Sequence, residues 1–211
     1  MPFESFEENF HLLPAGQSAG DPWRDEMLVG VDGYLELAQK YAGCTFENGL
    51  YRLHDATTGP QAVTWLSIAY PHWLSRLRPF GYDWWGREFC VDFSEIVEGE
   101  PQVFLVDIES DEGYFIPYSF RGFHDNLMAE ADNALELPVW KEWAAANPDK
   151  VPLRPSDCVA YKVPIFLNGG QELDLLEVTD MDVYWTLTSQ LLVSARALRP
   201  GTAITGVQAD S

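Results

Sequence analysis

The stretch DIESDEGYFIPY places acids at Asp107, Glu109, Asp111 and Glu112, a spacing that could hold calcium through carboxylate oxygens. A calcium loop of that kind needs glycine at its sixth position and a bidentate acid at its twelfth. Here those positions are Glu112 and Tyr118, so the expectation is a turn between two strands. Proton-transfer or nucleophilic chemistry would need histidines grouped with a nucleophile or at metal-binding spacing. His11, His54, His72 and His124 lie far apart, with neither HExxH nor GxSxG in the chain, and read as surface or packing histidines. The absence of GxGxxG and GxxxxGK[ST] removes support for a nucleotide-phosphate cradle. Cys44, Cys90 and Cys158 are three isolated thiols, which fits neither a disulfide framework nor a zinc site and points to a reducing cytoplasm. The expectation is no catalytic residue, no metal and no cofactor.

What the chain concentrates is acid. Thirteen Lys and Arg stand against 33 Asp and Glu, a formal net charge of -20 over 211 residues. Such a field repels phosphate backbones and anionic membrane surfaces, so no direct nucleic acid and no membrane is expected as a partner, and a cationic protein is. From Glu88 to Phe120 there are nine acids and no base; from Val163 to Ala195 there are five and again no base. A solvated face is the ordinary reading of such runs. Two one-sign segments in one fold cost self-repulsion, however, which makes a surface built to meet a basic partner competitive. The candidate contacts are Asp107, Glu109, Asp111 and Glu112 in the first run and Glu172, Asp174, Asp180 and Asp182 in the second. Asp180 and Asp182 would serve equally as the acidic first turn of a following helix. Among the aromatic pairs Trp84-Trp85 and Tyr184-Trp185, adjacent rings in a strand face opposite ways, so Trp84 and Tyr184 are candidate anchors.

These residues need elements to carry them. A composition of 46% hydrophobic and 14% aromatic residues can offset the entropy of ordering, so the chain should fold. Phe3, Phe6 and Phe10 mark one face of a short helix, and a second helix is predicted from about Trp23 to Tyr41 with Gly43 as its stop. Asn48-Gly49 signals a turn before a strand, whereas QAVTWLSIAYPHWLSRL has no clear period. FGYDWWGREFCVDFS reads as two strand pieces around Gly86, with Phe89, Val91 and Phe93 on one face and Glu88, Cys90 and Asp92 on the other. QVFLVDIESDEGYFIPYS reads as a hairpin, with Gly113 in the left-handed position that closes it. Ser119 should cap a helix that Pro138 divides. CVAYKVPIFL and LDLLEV read as strands broken at Asn168-Gly169-Gly170. Thr179 with Asp182 should cap a last helix ended by Pro200-Gly201, with Arg196 and Arg199 near its end. No apolar run approaches the roughly 18 residues of a membrane span. The predicted class is α+β, with a mostly antiparallel sheet, flanking helices and a C-terminal helix.

FGYDWWGREFCVDFS and DCVAYKVPIFLNGGQELDLLEVTDMDVYW, followed by LLVSARALRPGTAI, resemble the C-terminal domain of type VI secretion immunity proteins. FESFEENF through FENGLYRLHDATTGPQAVTW resembles the GAD-like region that precedes it in that family. The resemblance divides the chain into a GAD-like N-terminal region, 1–78, and an immunity domain, 79–211, packed either separately or as one unit. It implies a non-catalytic bacterial cytoplasmic protein that binds and neutralises a cognate basic nuclease effector, blocking its active site or its DNA-binding surface. Two rivals stand beside it: a small-ligand-binding or enzymatic α+β domain whose pocket the sequence does not reveal, and a general scaffold module.

Overall fold

A computed structural model of the chain describes residues 3–198. Six strands, β1 (Thr45–Phe46), β2 (Tyr51–Leu53), β3 (Leu77–Asp83), β4 (Glu88–Val97), β5 (Glu100–Asp107) and β6 (Glu112–Ser119), form an antiparallel sheet in sequence order. A separate two-stranded ladder joins β7 (Asp157–Tyr161) to β8 (Leu176–Asp180). Six α-helices surround them: α1 (Glu4–Asn9), α2 (Tyr34–Tyr41), α3 (Thr58–Ala69), α4 (Phe120–Ala134), α5 (Leu137–Ala146) and α6 (Met181–Arg196). The predicted α+β class and its antiparallel sheet are observed.

Side chains alternate across a strand, and here both faces of the large sheet are covered. Phe80, Phe89, Val91, Val103 and Leu105 share one core with residues of α1 and α4, where Phe6 meets the His124 ring at 5.3 Å. Tyr82, Cys90, Phe104 and Val106 share the other with α3 and α6, where Trp65 and Trp185 stack at 6.0 Å. The expected facing of Phe89 and Val91 against Glu88, Cys90 and Asp92 holds, and the second face is interior as well, because α3 and α6 lie over it.

The expected boundary between 78 and 79 falls inside β3, which pairs with β2 on one side and β4 on the other. The described residues therefore pack as one unit. Several local expectations shift for identifiable reasons. The helix predicted from Trp23 begins only at Tyr34, because Gly33 takes φ 78° immediately before it. The unassigned QAVTWLSIAYPHW segment forms most of α3 and a 3-10 turn over Pro71–Trp73. In the β5–β6 turn Asp111 takes the left-handed position at φ 59°, while Gly113 is needed for space: a Cβ there would lie 2.4 Å from Phe104 Cζ. The strand expected over CVAYKVPIFL ends at Tyr161, and Ile165–Leu167 is a 3-10 turn.

Helices α4 and α6 are each capped by a side-chain oxygen, whereas α5 follows Glu136, which lies in the left-handed region and gives no side-chain cap. Ser119 Oγ accepts from the Gly122 amide as predicted. At α6 the cap is Asp180, which accepts from the amides of Asp182 and Val183; Thr179 is committed to the β7–β8 ladder opposite Cys158. Arg199 and the Pro200-Gly201 stop lie outside the described residues. Among the described residues, no helix is long and apolar enough to cross a membrane.

Candidate functional site

Four segments from distant parts of the chain meet beyond one end of the large sheet: the β3–β4 turn, the β5–β6 turn with the adjoining part of β6, the end of α4, and the 3-10 turn at Ile165. They enclose a cavity of about 400 Å3 whose charged lining is Arg87, Asp107, Glu109 and Glu136. Trp85, Tyr114 and Phe115 supply aromatic wall, and Phe115 is 56% exposed on the outermost strand.

The β3–β4 turn builds one side. Gly86 takes φ 75°, which lets Asp83 Oδ1 accept from the amides of Trp85 and Arg87, both at 3.0 Å. Asp83 Oδ2 meets the Arg87 guanidinium at 2.7 Å, and Arg87 Nη2 also donates to the Ala134 carbonyl at 3.0 Å. Burial disfavours the charge of Arg87, but Asp83, Asp107 and Glu136 outweigh it and hold the guanidinium above its ordinary value. Arg87 is thus a fixed, already balanced charge.

The β5–β6 turn builds the other side. Asp107 Oδ1 accepts from the amides of Glu109 and Ser110, an Asx-type turn that fixes the backbone of Glu109. Glu109 is 1% exposed. Its Oε2 accepts from the Tyr184 hydroxyl at 2.7 Å, while Oε1 has no hydrogen-bond partner among the described residues. Burial is the main reason that its carboxyl is pushed up to about 7, with Asp107 adding to the effect and the Tyr184 hydrogen bond opposing it. A carboxyl in that range is divided between its charged and neutral forms near neutrality.

The predicted contact residues therefore separate. Asp107 and Glu109 line this cavity. Asp111 is drawn away to Arg196 and the Tyr70 hydroxyl, and Glu112 is exposed beside the Tyr114 hydroxyl. Glu172 and Asp174 are exposed on the segment between β7 and β8. Asp180 and Asp182 line a second cavity of about 270 Å3 with His54, Thr58, Trp65 and Tyr82, where Asp182 accepts from Trp65 Nε1 at 2.9 Å. The anchor assignments need correction. Trp84 is fully buried, donating Nε1–H to the Leu135 carbonyl and packing on Trp140, and Tyr184 is 7% exposed. The half-buried neighbour Trp85 is the tryptophan that reaches the cavity.

The acidic run from Glu88 is also less of a surface than its sequence suggests. Glu88 is hydrogen-bonded to His54 at 2.8 Å and Asp92 is paired with Arg76 at 2.6 Å, with both carboxylates wholly buried, so two of its acids are turned inward onto groups from upstream. In the second cavity His54 lies between Glu88 and the Thr58 hydroxyl, 3.1 Å from its Nδ1, the order of an acid–histidine–hydroxyl relay. That hydroxyl also donates to Asp55, and the Thr57 and Thr58 amides donate to the same carboxylate. These groups form a helix cap rather than an array of donors free to hold a developing oxyanion. Trp85, Arg87 and Glu136 had no motif to announce them. The faint signal for Arg87 was Asp83 four residues before it.

No family model and no curated protein matches the chain. Among solved structures it is similar to Atu4351 from Agrobacterium tumefaciens, with a TM-score of 0.58 and 11% identity, over 89% of this chain and 88% of that one. At that identity the likeness concerns the fold.

Proposed function

We propose that this chain is a non-catalytic immunity protein that binds and neutralises a basic nuclease effector of type VI secretion, a DNase, by covering its active site or DNA-binding surface. The observation that carries the reading is the acid-lined cavity at the sheet's end on a chain of net charge -20. A DNA-cutting protein must present positive charge to its substrate, and an acidic binder approaches such a surface at rates raised by long-range attraction. The sequence resemblance supports the same reading. A localisation in the bacterial cytoplasm, where the host's own DNA would need protection, belongs to this proposal.

Co-expression with the nuclease encoded beside its gene, followed by purification and a DNA-cleavage assay, tests it. The expected outcome is a stable complex with cleavage abolished; separate elution with undiminished cleavage overturns it. A second reading, a small-ligand-binding or enzymatic domain, is favoured by one observation, the buried Glu109 oxygen without a partner among the described residues at the cavity. It predicts a thermal shift with small molecules in the absence of any protein partner.

A further inference from the structure

We propose that the cavity beside Glu109 receives an arginine or lysine side chain of the basic partner, with its cationic head against Glu109 and Asp107 and its stem along Trp85 and Tyr114. This rests on the reading of the chain as a binder of a basic protein and names the part of that partner which enters the cavity.

Three observations carry it. The first is an under-satisfied acceptor: Glu109 is almost wholly buried, and beyond the Tyr184 hydroxyl on Oε2 only the Tyr161 amide acts on its carboxyl, with no hydrogen bond formed to Oε1 among the described residues. Asp83, Asp92 and Asp157 are satisfied within the interior; Glu88 Oε1 is likewise left over among the described residues, but of the two it is Glu109 that lines this cavity, where a donor from outside can approach. Secondly, the charge of the lining is unbalanced. Arg87 is consumed by Asp83 and the Ala134 carbonyl, and approaches Glu136 only at 3.9 Å. Neither Asp107 nor Glu109 has an ion pair among the described residues. A cation entering here meets three carboxylates, Asp107, Glu109 and Glu136, against one guanidinium already bound to Asp83, in a partly desolvated space where attraction is strengthened.

Third, the walls suit a polypeptide side chain better than a free metal ion. Tyr114 and Phe115 offer ring faces and edges to a guanidinium or an aliphatic stem, while the Trp85 ring, under the Arg87 guanidinium at 5.7 Å, offers apolar edge to the stem. Trp85 Nε1–H is a buried donor without a partner among the described residues. A bare cation would meet the carboxylates but leave the aromatic wall uncovered, whereas a basic side chain brings a cationic head and an apolar stem together.

The carboxyl faces Asp107 on its own turn, Tyr184 of α6 and Cys158 and Tyr161 of β7, with Arg87 and Glu136 also lining the cavity. A cation favours its ionised form, so binding should strengthen from about pH 6 to pH 8 and release a proton at the lower pH.

The full chain can be titrated with N-acetyl-arginine amide while the indole N–H resonance of Trp85, assigned by its loss in Trp85→Phe, is followed. The expected result is a saturable shift, weakened at least tenfold by Glu109→Gln and absent with the uncharged N-acetyl-citrulline amide. An equal response to citrulline amide, a stronger response to N-acetyl-aspartate amide, or no shift up to the solubility limit overturns the inference. Should Glu109→Gln lose its folded spectrum, Asp107→Asn with Glu136→Gln takes its place, and unchanged affinity in that variant counts equally against the socket. The titration uses no nuclease, so its failure leaves the nuclease reading standing. Failure of the nuclease to form a complex leaves a cation socket that serves a different basic protein.

Discussion

The Tyr184 hydroxyl donates to Glu109 Oε2 at 2.7 Å across 75 residues of sequence. Together with Arg196 on Asp111, this bond fastens the last described helix to the β5–β6 turn, and it engages one of the two buried oxygens of the Glu109 carboxyl. Tyr184→Phe should cost about 1–3 kcal/mol, because it strands a second buried oxygen on the same carboxyl. Since the lost bond favours the ionised form, the Glu109 pKa should also rise. Urea denaturation gives the first quantity, and a carboxyl-specific NMR titration of Glu109 gives the second.

Glu109 should make the fold less stable as the medium becomes more alkaline. Its folded value of about 7 lies above the ordinary 4.5, so the native state holds the proton more tightly. The stability tied to that proton is complete below about pH 4.5 and is lost as the pH rises through 7. Glu109→Gln should match the parent near pH 5 and exceed it by about 2–3 kcal/mol near pH 8, since each tenfold difference in proton affinity between the folded and unfolded chain is worth about 1.4 kcal/mol. A difference that does not change with pH would sink this assignment.

His124 should act in the opposite sense. It is buried among the rings of Phe3, Phe6 and Phe120, donates from Nδ1 to the Phe120 carbonyl, and is pushed down to about 3 by burial. The unfolded chain binds that proton at the ordinary 6.5, so this contribution is present above that value and is lost as the pH falls toward 3. The imidazole resonances of His124 should therefore remain those of the neutral ring down to about pH 4, while stability declines from about pH 6. A His124 midpoint at the ordinary value in the native protein would contradict the burial argument.

Gly113→Ala should destabilise through space alone. The new methyl would lie 2.4 Å from the ring of Phe104, itself held against Trp73 at 5.4 Å, and the expected loss is about 1–3 kcal/mol. Thermal or urea unfolding measures it, with Gly99→Ala as a comparison in open space that isolates the cost of a positive φ.

Glu172→Lys with Asp174→Lys should leave stability within about 0.5 kcal/mol, since both side chains are exposed. In the proposed complex the double change should slow association several-fold at low salt, an effect that shrinks as the ionic strength rises. Stopped-flow association at two salt concentrations would decide whether these acids steer the partner. An unchanged rate would place them outside the field that matters.

The parts of the fold legible in the sequence were those with a clean period. Phe3, Phe6 and Phe10 are buried on one side of α1, and β4 alternates as its residue types require. Trp65, Leu66 and Ala69 were harder, because QAVTWLSIAYPHWLSRL mixes β-branched and aromatic residues around Pro71 and has no simple apolar stripe. The site was half legible for a related reason. Composition exposed the acids, but the buried partners of Glu88 and Asp92 lie upstream at His54 and Arg76, and a charge run carries no information about such long-range pairing. Trp85, Arg87 and Glu136 converge only through the tertiary fold, which is why no motif brought them together.

The interleaving of the chain's two halves also sets an order of events during synthesis. α1 rests on α4, α3 rests on α6, and β3 joins both halves in one sheet. A growing chain therefore cannot close either core from its first half alone, and contacts of such long sequence separation are slow to form. The Glu109 carboxyl takes its final setting only when Tyr184 of α6 reaches it, so that side of the cavity is among the last parts of the fold to be completed.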